Sequence, residues 1–269
     1  MEYESGVADR YHWPMLRVLV RGVNDVASAV AHRLFTSGHA VAMHDAEAPT
    51  TSRRGMACAD AMFDGRAELA GVAARRLDDL SALPEAAVAR EAISVNAGDF
   101  AALLAAYRPD VLVDARMRKR AAPEIQSGLA PLTVGLEPGF VAGQNVDLAI
   151  ETGWGDDLGR VIERGPTRDL AGEPRAIDGV ARERYVYAPA AGVFRTDLRI
   201  GSPVGAGQVV AHVEDTPLLA PIDGALRGLT RDGVAVAVRA KVIEVDPRGT
   251  DGNLYGIGER PGRIADGVL

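Results

Sequence analysis

Apolar residues recur along the first half of the chain in short blocks of two kinds. Leu16-Arg17-Val18-Leu19-Val20 reads as a strand that closes in the turn Arg21-Gly22-Val23-Asn24-Asp25. From Val26 to Ser37 the apolar positions Val26, Val30 and Leu34 fall four apart, the spacing of one helix face, and Gly38 stops the run. Ala40 to Met43 is a second strand, ending in His44-Asp45. The same alternation predicts a short helix over Gly55–Phe63 that carries Cys58, a strand over Val72–Arg76, a helix over Leu80–Ala89 and a strand at Ile93–Val95. Asp99 is placed to cap a helix over Phe100–Tyr107, which Pro109 closes. Val111–Val113 is a buried strand leading into Asp114-Ala115-Arg116. After Pro131 an apolar run ends in the turn Glu137-Pro138-Gly139-Phe140, and Val146–Ile150 ends in Glu151-Thr152.

Strands alternating with helices predict an α/β domain over residues 15–162, with a Rossmann-like, mainly parallel sheet. Parallel strands put their carboxyl ends on one edge, where open sheets bind ligands. The candidate cofactor-binding residues are those at or just past strand ends: Arg21, Gly22, Asn24, Asp25, Asp45, Asp114, Arg116, Glu137, Gly139 and Glu151. In the first βα turn, Gly22-x-Asn24-x-x-Ala27 stands where G-x-G-x-x-G/A marks a dinucleotide site. The Asn side chain blocks the close approach that a middle glycine allows. Asp45 stands where a ribose-binding acid is expected, and Arg53-Arg54 could meet a phosphate instead. Arg116 could hold an anion, as could the basic run to Arg120, or Asp114 and Arg116 could simply pair. The glycine-rich corner Gly153–Arg160, rich in acids and carrying Trp154, reads either as a site wall or as a turn joining the core to a neighbouring domain. No catalytic residue stands out, and no metal site is expected.

Residues 163–181, rich in Gly, Pro and charge, read as a linker, and residues 1–14 as a flexible lead. Beyond the linker, short β runs repeat. Ala188-Pro189-Ala190-Ala191-Gly192-Val193 matches Ala220-Pro221-Ile222-Asp223-Gly224-Ala225 at an offset of 32 residues, and Gly201, Val204, Val210 and Val213 match Gly233, Val236, Val242 and Val245. Two such copies over 182–269 predict a barrel-sandwich of biotinyl/lipoyl type. Its carrier chemistry is missing: the hairpin Glu214–Leu218 between the copies has no lysine, and the domain's one lysine, Lys241, lies within the second copy.

Composition narrows the function. A net charge of −7 over 269 residues argues against a nucleic-acid binder, whose affinity rests on phosphate neutralisation by basic patches. One cysteine excludes a disulfide framework, and it reads as a buried apolar residue rather than a nucleophile. No apolar run is long enough to span a bilayer and no signal-peptide pattern opens the chain, so a cytoplasmic location is expected.

The runs VGLEPGFVAGQNVDLAIET, GDDLGRVI, APAAGVF, APIDGALRGLTRDGV and EVDPRG together resemble the YqeB family of selenium-dependent molybdenum hydroxylase system proteins, relatives of xanthine dehydrogenase accessory factors. The resemblance extends from about Leu16 to Arg248. It implies an accessory protein that matures a molybdenum hydroxylase by handling the molybdenum cofactor (molybdopterin), its terminal sulfur or selenium ligand, or a nucleotide. The implied partners are a molybdenum hydroxylase client and a small anionic cofactor, with homo-oligomerisation left open. The chain departs from the family pattern at Asn24, at Glu137 and at Trp154-Gly155-Asp156, where a basic residue and a His are replaced. Each lost charge-assisted bond would weaken an anion site by roughly 1–3 kcal/mol. The alternatives are a nicotinamide-dependent oxidoreductase using NAD(P), for which no proton donor is placed, and a non-catalytic docking scaffold.

Overall fold

The computed structural model describes residues 14–118, 122–169 and 174–269. The elements of the first half are β1 (Arg17–Arg21), α1 (Asp25–Thr36), β2 (Ala40–His44), α2 (Ala61–Asp64), β3 (Arg66–Leu69), β4 (Val72–Arg76), α3 (Leu83–Ala89), β5 (Ile93–Asn96), α4 (Phe100–Tyr107), β6 (Val111–Asp114), β7 (Leu132–Gly135), β8 (Val141–Ala142), β9 (Leu148–Ile150), β10 (Val161–Ile162) and β11 (Gly165–Pro166). Nine of these strands form one sheet in the order β10-β9-β7-β6-β1-β2-β5-β4-β3. Its pairings are parallel from β9 through β4, and only the outermost strands, β10 and β3, run antiparallel.

Side chains alternate between the two faces of these strands, which explains the split core. Val18, Val20, Val41, Met43 and Val113 pack on the face of α1, whereas Leu19, Ala40, Ala42 and Leu112 pack on the face of α3 and α4. The expected cap of α4 is present: Ala102 N–H donates to Asp99 Oδ1 at 2.8 Å.

Three local expectations are corrected. Gly55–Phe63 is not one helix: a 3-10 turn at Arg54–Met56 precedes the short α2, and Cys58 lies in the bend between them. Cys58 is buried, its N–H donates to Ser28 Oγ, and burial pushes its thiol up to about 11, so it is unreactive at neutral pH. The antiparallel strand β3 was not anticipated. The start of the expected linker belongs to the α/β half, because β11 pairs with β8 and Thr167 donates its N–H to Phe140 O and its hydroxyl to Glu137 O. The lead through Tyr11-His12-Trp13 lies outside the described residues.

The second half continues as β12 (Tyr185–Tyr187), β13 (Gly192–Arg195), β14 (Pro203–Val204), β15 (Val209–Val213), β16 (Thr216–Leu219), β17 (Gly224–Leu229), β18 (Ala235–Val236), β19 (Lys241–Asp246) and α5 (Glu259–Val268). Its strands form two antiparallel sheets, β12-β19-β17-β14 and β16-β15-β13-β18. Advancing each strand of the first copy to its counterpart in the second converts one sheet order into the other. Each sheet therefore takes two strands from each copy, and the copies interlock around the core of Phe194, Leu226, Leu229 and Val245. The chain then leaves this module, and α5 returns to pack on α1, burying Ile264 and Ala265 in the α/β core and pairing Arg33 with Asp266. The region from 182 on is thus not all β.

Candidate anion site at the carboxyl edge of the sheet

Register places the ends of β1, β6 and β7 side by side: Arg21 stands opposite Asp114, and Asp114 opposite Gly135. Arg21 is buried, and its guanidinium lies 3.8 Å from the Phe100 ring centroid as a cation–π pair. Arg21 Nη1 donates to Glu124 Oε2 at 2.9 Å and Gln126 Oε1 at 3.0 Å. Arg116 donates from Nε to Asp114 Oδ1 at 2.9 Å and from Nη2 to Glu124 Oε2 at 3.0 Å. Arg118 Nη1 reaches Glu124 Oε1 at 3.0 Å. One half-exposed carboxylate, Glu124, thus receives three guanidinium groups at the edge where a ligand is expected.

The charges respond as the geometry requires. Hydrogen bonding from Arg116, then from Arg21, lowers the Glu124 carboxyl to about 2. Burial opposes the charge on Arg116, but its bonds to Asp114 and Glu124 outweigh burial and raise its pKa. Burial, then the neighbouring Arg116, lowers that of Arg21. Deeper in, Glu137 is fully buried, and burial, reinforced by Asp114, raises its pKa. Among the described residues, the buried Arg118 Nε and Nη2 and Arg21 Nε have no hydrogen-bond partner.

The remaining sequence candidates have other duties. Asn24 is the N-cap of α1: its Oδ1 accepts from Val26 and Ala27 N–H, while its Nδ2 donates to Ala115 O at 2.8 Å. The donors expected to face a pyrophosphate are therefore engaged within the chain. Gly22, at φ +111°, is required because a Cβ there would press on the Ala115 carbonyl. Asp45 accepts the N–H groups of Val23 and Ala46, bracing the turn where a ribose-binding acid was expected. Gly139 turns at φ +97° beside Pro123. Glu151 holds Gly153 N–H and Arg168 N–H, and Asp25 pairs with Arg53 at 2.8 Å on the side facing the β module. Arg21, Asp114 and Arg116 are brought together, with Glu137 behind them, whereas Asp25 and Glu151 bind other partners. Lys119 and Arg120, part of the basic run, lie outside the described residues.

Glu124, Gln126 and Phe100 were missed, and Arg118 was anticipated only as part of the basic run. The acid that follows the run Arg116–Arg120 was the available signal, since a lone carboxylate after several arginines commonly serves as their counter-ion.

No family model matches the chain. Over 252 residues, 94% of its length, the chain is 37% identical to the uncharacterized protein YqeB of Escherichia coli K12 and spans 46% of that protein, a match that supports a YqeB-type family. Among solved structures, a succinylglutamate desuccinylase/aspartoacylase from Rhodobacter sphaeroides is 21% identical, with 55% of this chain and 63% of that chain covered at a TM-score of 0.23. The apo ectoine utilization protein EutE (DoeB) from Ruegeria pomeroyi is 11% identical, with 86% of each chain covered at a TM-score of 0.24. Neither structural likeness carries an argument about fold or function.

Proposed function

We propose that this YqeB-type protein binds a small phosphate-bearing anion at the carboxyl edge of its sheet and serves as an accessory factor in molybdenum hydroxylase maturation. The convergence of Arg21, Arg116 and Arg118 on Glu124 carries the binding reading. Guanidinium forks match phosphate oxygens two at a time, and the Glu124 carboxylate is the internal group such an oxyanion would displace. The maturation role rests on the family resemblance alone. The sheet is Rossmann-like on this reading, and the two interlocked β sheets form a barrel-sandwich without a carrier lysine. Lys241 lies 3.5 Å from Glu244 and over the Tyr185 ring, a packed position unlike that of a swinging arm.

The test is calorimetric titration with pyrophosphate at fixed ionic strength. Glu124→Gln removes the internal competitor and is expected to tighten binding about tenfold, which corresponds to ~1.4 kcal/mol. Arg116→Ala is expected to abolish the event. Equal affinity in all three proteins would refute the site. Protein purified from its host and examined by mass spectrometry then identifies the cargo: a bound pterin supports the maturation role, and a nicotinamide supports the oxidoreductase alternative.

A further inference from the structure

The nine-stranded sheet ends in β3, an edge strand with β4 on one side and no strand on the other. The two are joined through Ala70-Gly71, at φ 47° and 80°, the backbone of a tight two-residue hairpin turn. Arg76 N–H donates to Gly65 O at 2.9 Å, and this pair continues the register in which Ala67 faces Ala74 and Leu69 faces Val72. Bonded pairs alternate along an antiparallel ladder, so Gly65, Ala67 and Leu69 direct their N–H and C=O groups to β4. Those of Arg66 and Glu68 point away from the sheet, where no strand receives them. A groove of ≈ 430 Å³ runs along the hairpin, lined by Arg66, Ala67, Glu68, Ala73, Ala74 and Arg75 alone, so no other element of the described chain closes it.

The side chains decide what can pair there. Arg66 and Glu68 are exposed, share one face of the strand, and make no ion pair among the described residues. Inside the hairpin Arg66 stands opposite Arg75, a like-charge pair. The acids nearby have other partners: Glu91 lies 3.6 Å from Arg75, Asp64 binds Arg231 at 2.5 and 2.6 Å, and Glu47 and Asp78 bind Arg76.

A second β3 laid antiparallel against the first must bring outward-pointing groups together, so only Arg66 and Glu68 of each copy can bond. Centring the contact on Ala67 sets each Arg66 opposite a Glu68, with an ion pair and main-chain hydrogen bonds at both ends. The small Ala67 then fills the close, non-bonded position between them. Slipping the strands by two residues either way sets Arg66 opposite Arg66 or Glu68 opposite Glu68, which like charge opposes. Charges on an edge strand commonly block pairing. Here their order permits it in one register.

We propose that β3 is a homodimer contact, in which a second copy of this chain extends the sheet antiparallel across a twofold axis at Ala67. Such a contact is isologous, the same residues meeting from both sides. A strand of 4 residues buries less than a standard interface, so the dimer is weak and depends on concentration.

Sedimentation equilibrium of the full chain over a range of concentrations tests this. The wild type is expected to dimerise reversibly. Glu68→Arg sets Arg opposite Arg66, and Arg66→Glu sets Glu opposite Glu68. Each is expected to weaken dimerisation by about tenfold or more. Both side chains are exposed and unpaired among the described residues, so the variants are expected to keep their fold, which circular dichroism checks. An equimolar mixture of the two variants restores opposite charges at both ends, and a mixed dimer of wild-type strength is expected. A wild type that stays monomeric throughout its soluble range, single variants that dimerise as tightly as the wild type, or a mixture that fails to associate would overturn the proposal.

Discussion

Glu244→Gln is expected to lower unfolding stability by about 3–5 kcal/mol, the range for removing one partner of a buried ion pair. The substitution keeps side-chain volume and removes charge, so packing around β19 is not the cause. Arg53, Arg184, Arg227 and Lys241 would then face a neutral amide inside the molecule. Urea unfolding at neutral pH measures the loss. The pH dependence supplies a second check. Burial opposes the charge on Glu244, but Arg53 and its cationic neighbours hold the folded pKa well below the unfolded value. Its stabilisation is therefore fully present above about pH 4.5 and is lost as pH falls toward the folded value. The gap between wild type and variant should be constant from pH 7 to about 5 and narrow below about 4. A loss under 1 kcal/mol, or a gap that widens on acidification, would contradict this account of Glu244.

The legible parts of the molecule were those whose cause is local. The strands at Arg17–Arg21, Ala40–His44 and Val111–Asp114 announce themselves as apolar runs, and Asp99 signals α4 through its cap. The interlocked sheets were legible because a repeat displays its own symmetry. The strand Arg66–Leu69 was not, since an edge strand facing water can alternate charge with small residues and lose the apolar signature. Asn24 was read as a defect in a glycine fingerprint, whereas its role as a helix cap follows from a side-chain direction that spacing does not encode. Glu124 joins Arg21 across 103 residues, and Arg53 joins Glu244 across 191, so neither pairing leaves a local trace. One clue was present: in Lys241-Val242-Ile243-Glu244-Val245-Asp246 an acid interrupts an apolar strand, and Glu244 is buried among buried neighbours on both sides. A charge in such a strand demands a cation from elsewhere.

Gly159→Ala is expected to cost about 2–5 kcal/mol, from two causes that can be separated. Gly159 has φ +86°, and an alanine in that region is penalised by roughly 1–2 kcal/mol. In addition, a Cβ there would overlap the Arg263 carbonyl oxygen, and one at Gly267 would overlap the Gly159 carbonyl, so the corner and α5 meet backbone to backbone. At that contact the corner receives the returning helix, with Arg263 donating to Leu158 O and Arg260 to Thr152 O. Forcing the elements apart adds the ~1–3 kcal/mol typical of overpacking. Gly165→Ala is the control, because Gly165 has φ +94° and nothing within 4 Å of its added Cβ. Urea unfolding of the two variants should show the larger loss at Gly159, and limited proteolysis should release α5 only there. Equal losses at the two positions, with α5 protected in both, would show that the close approach contributes nothing.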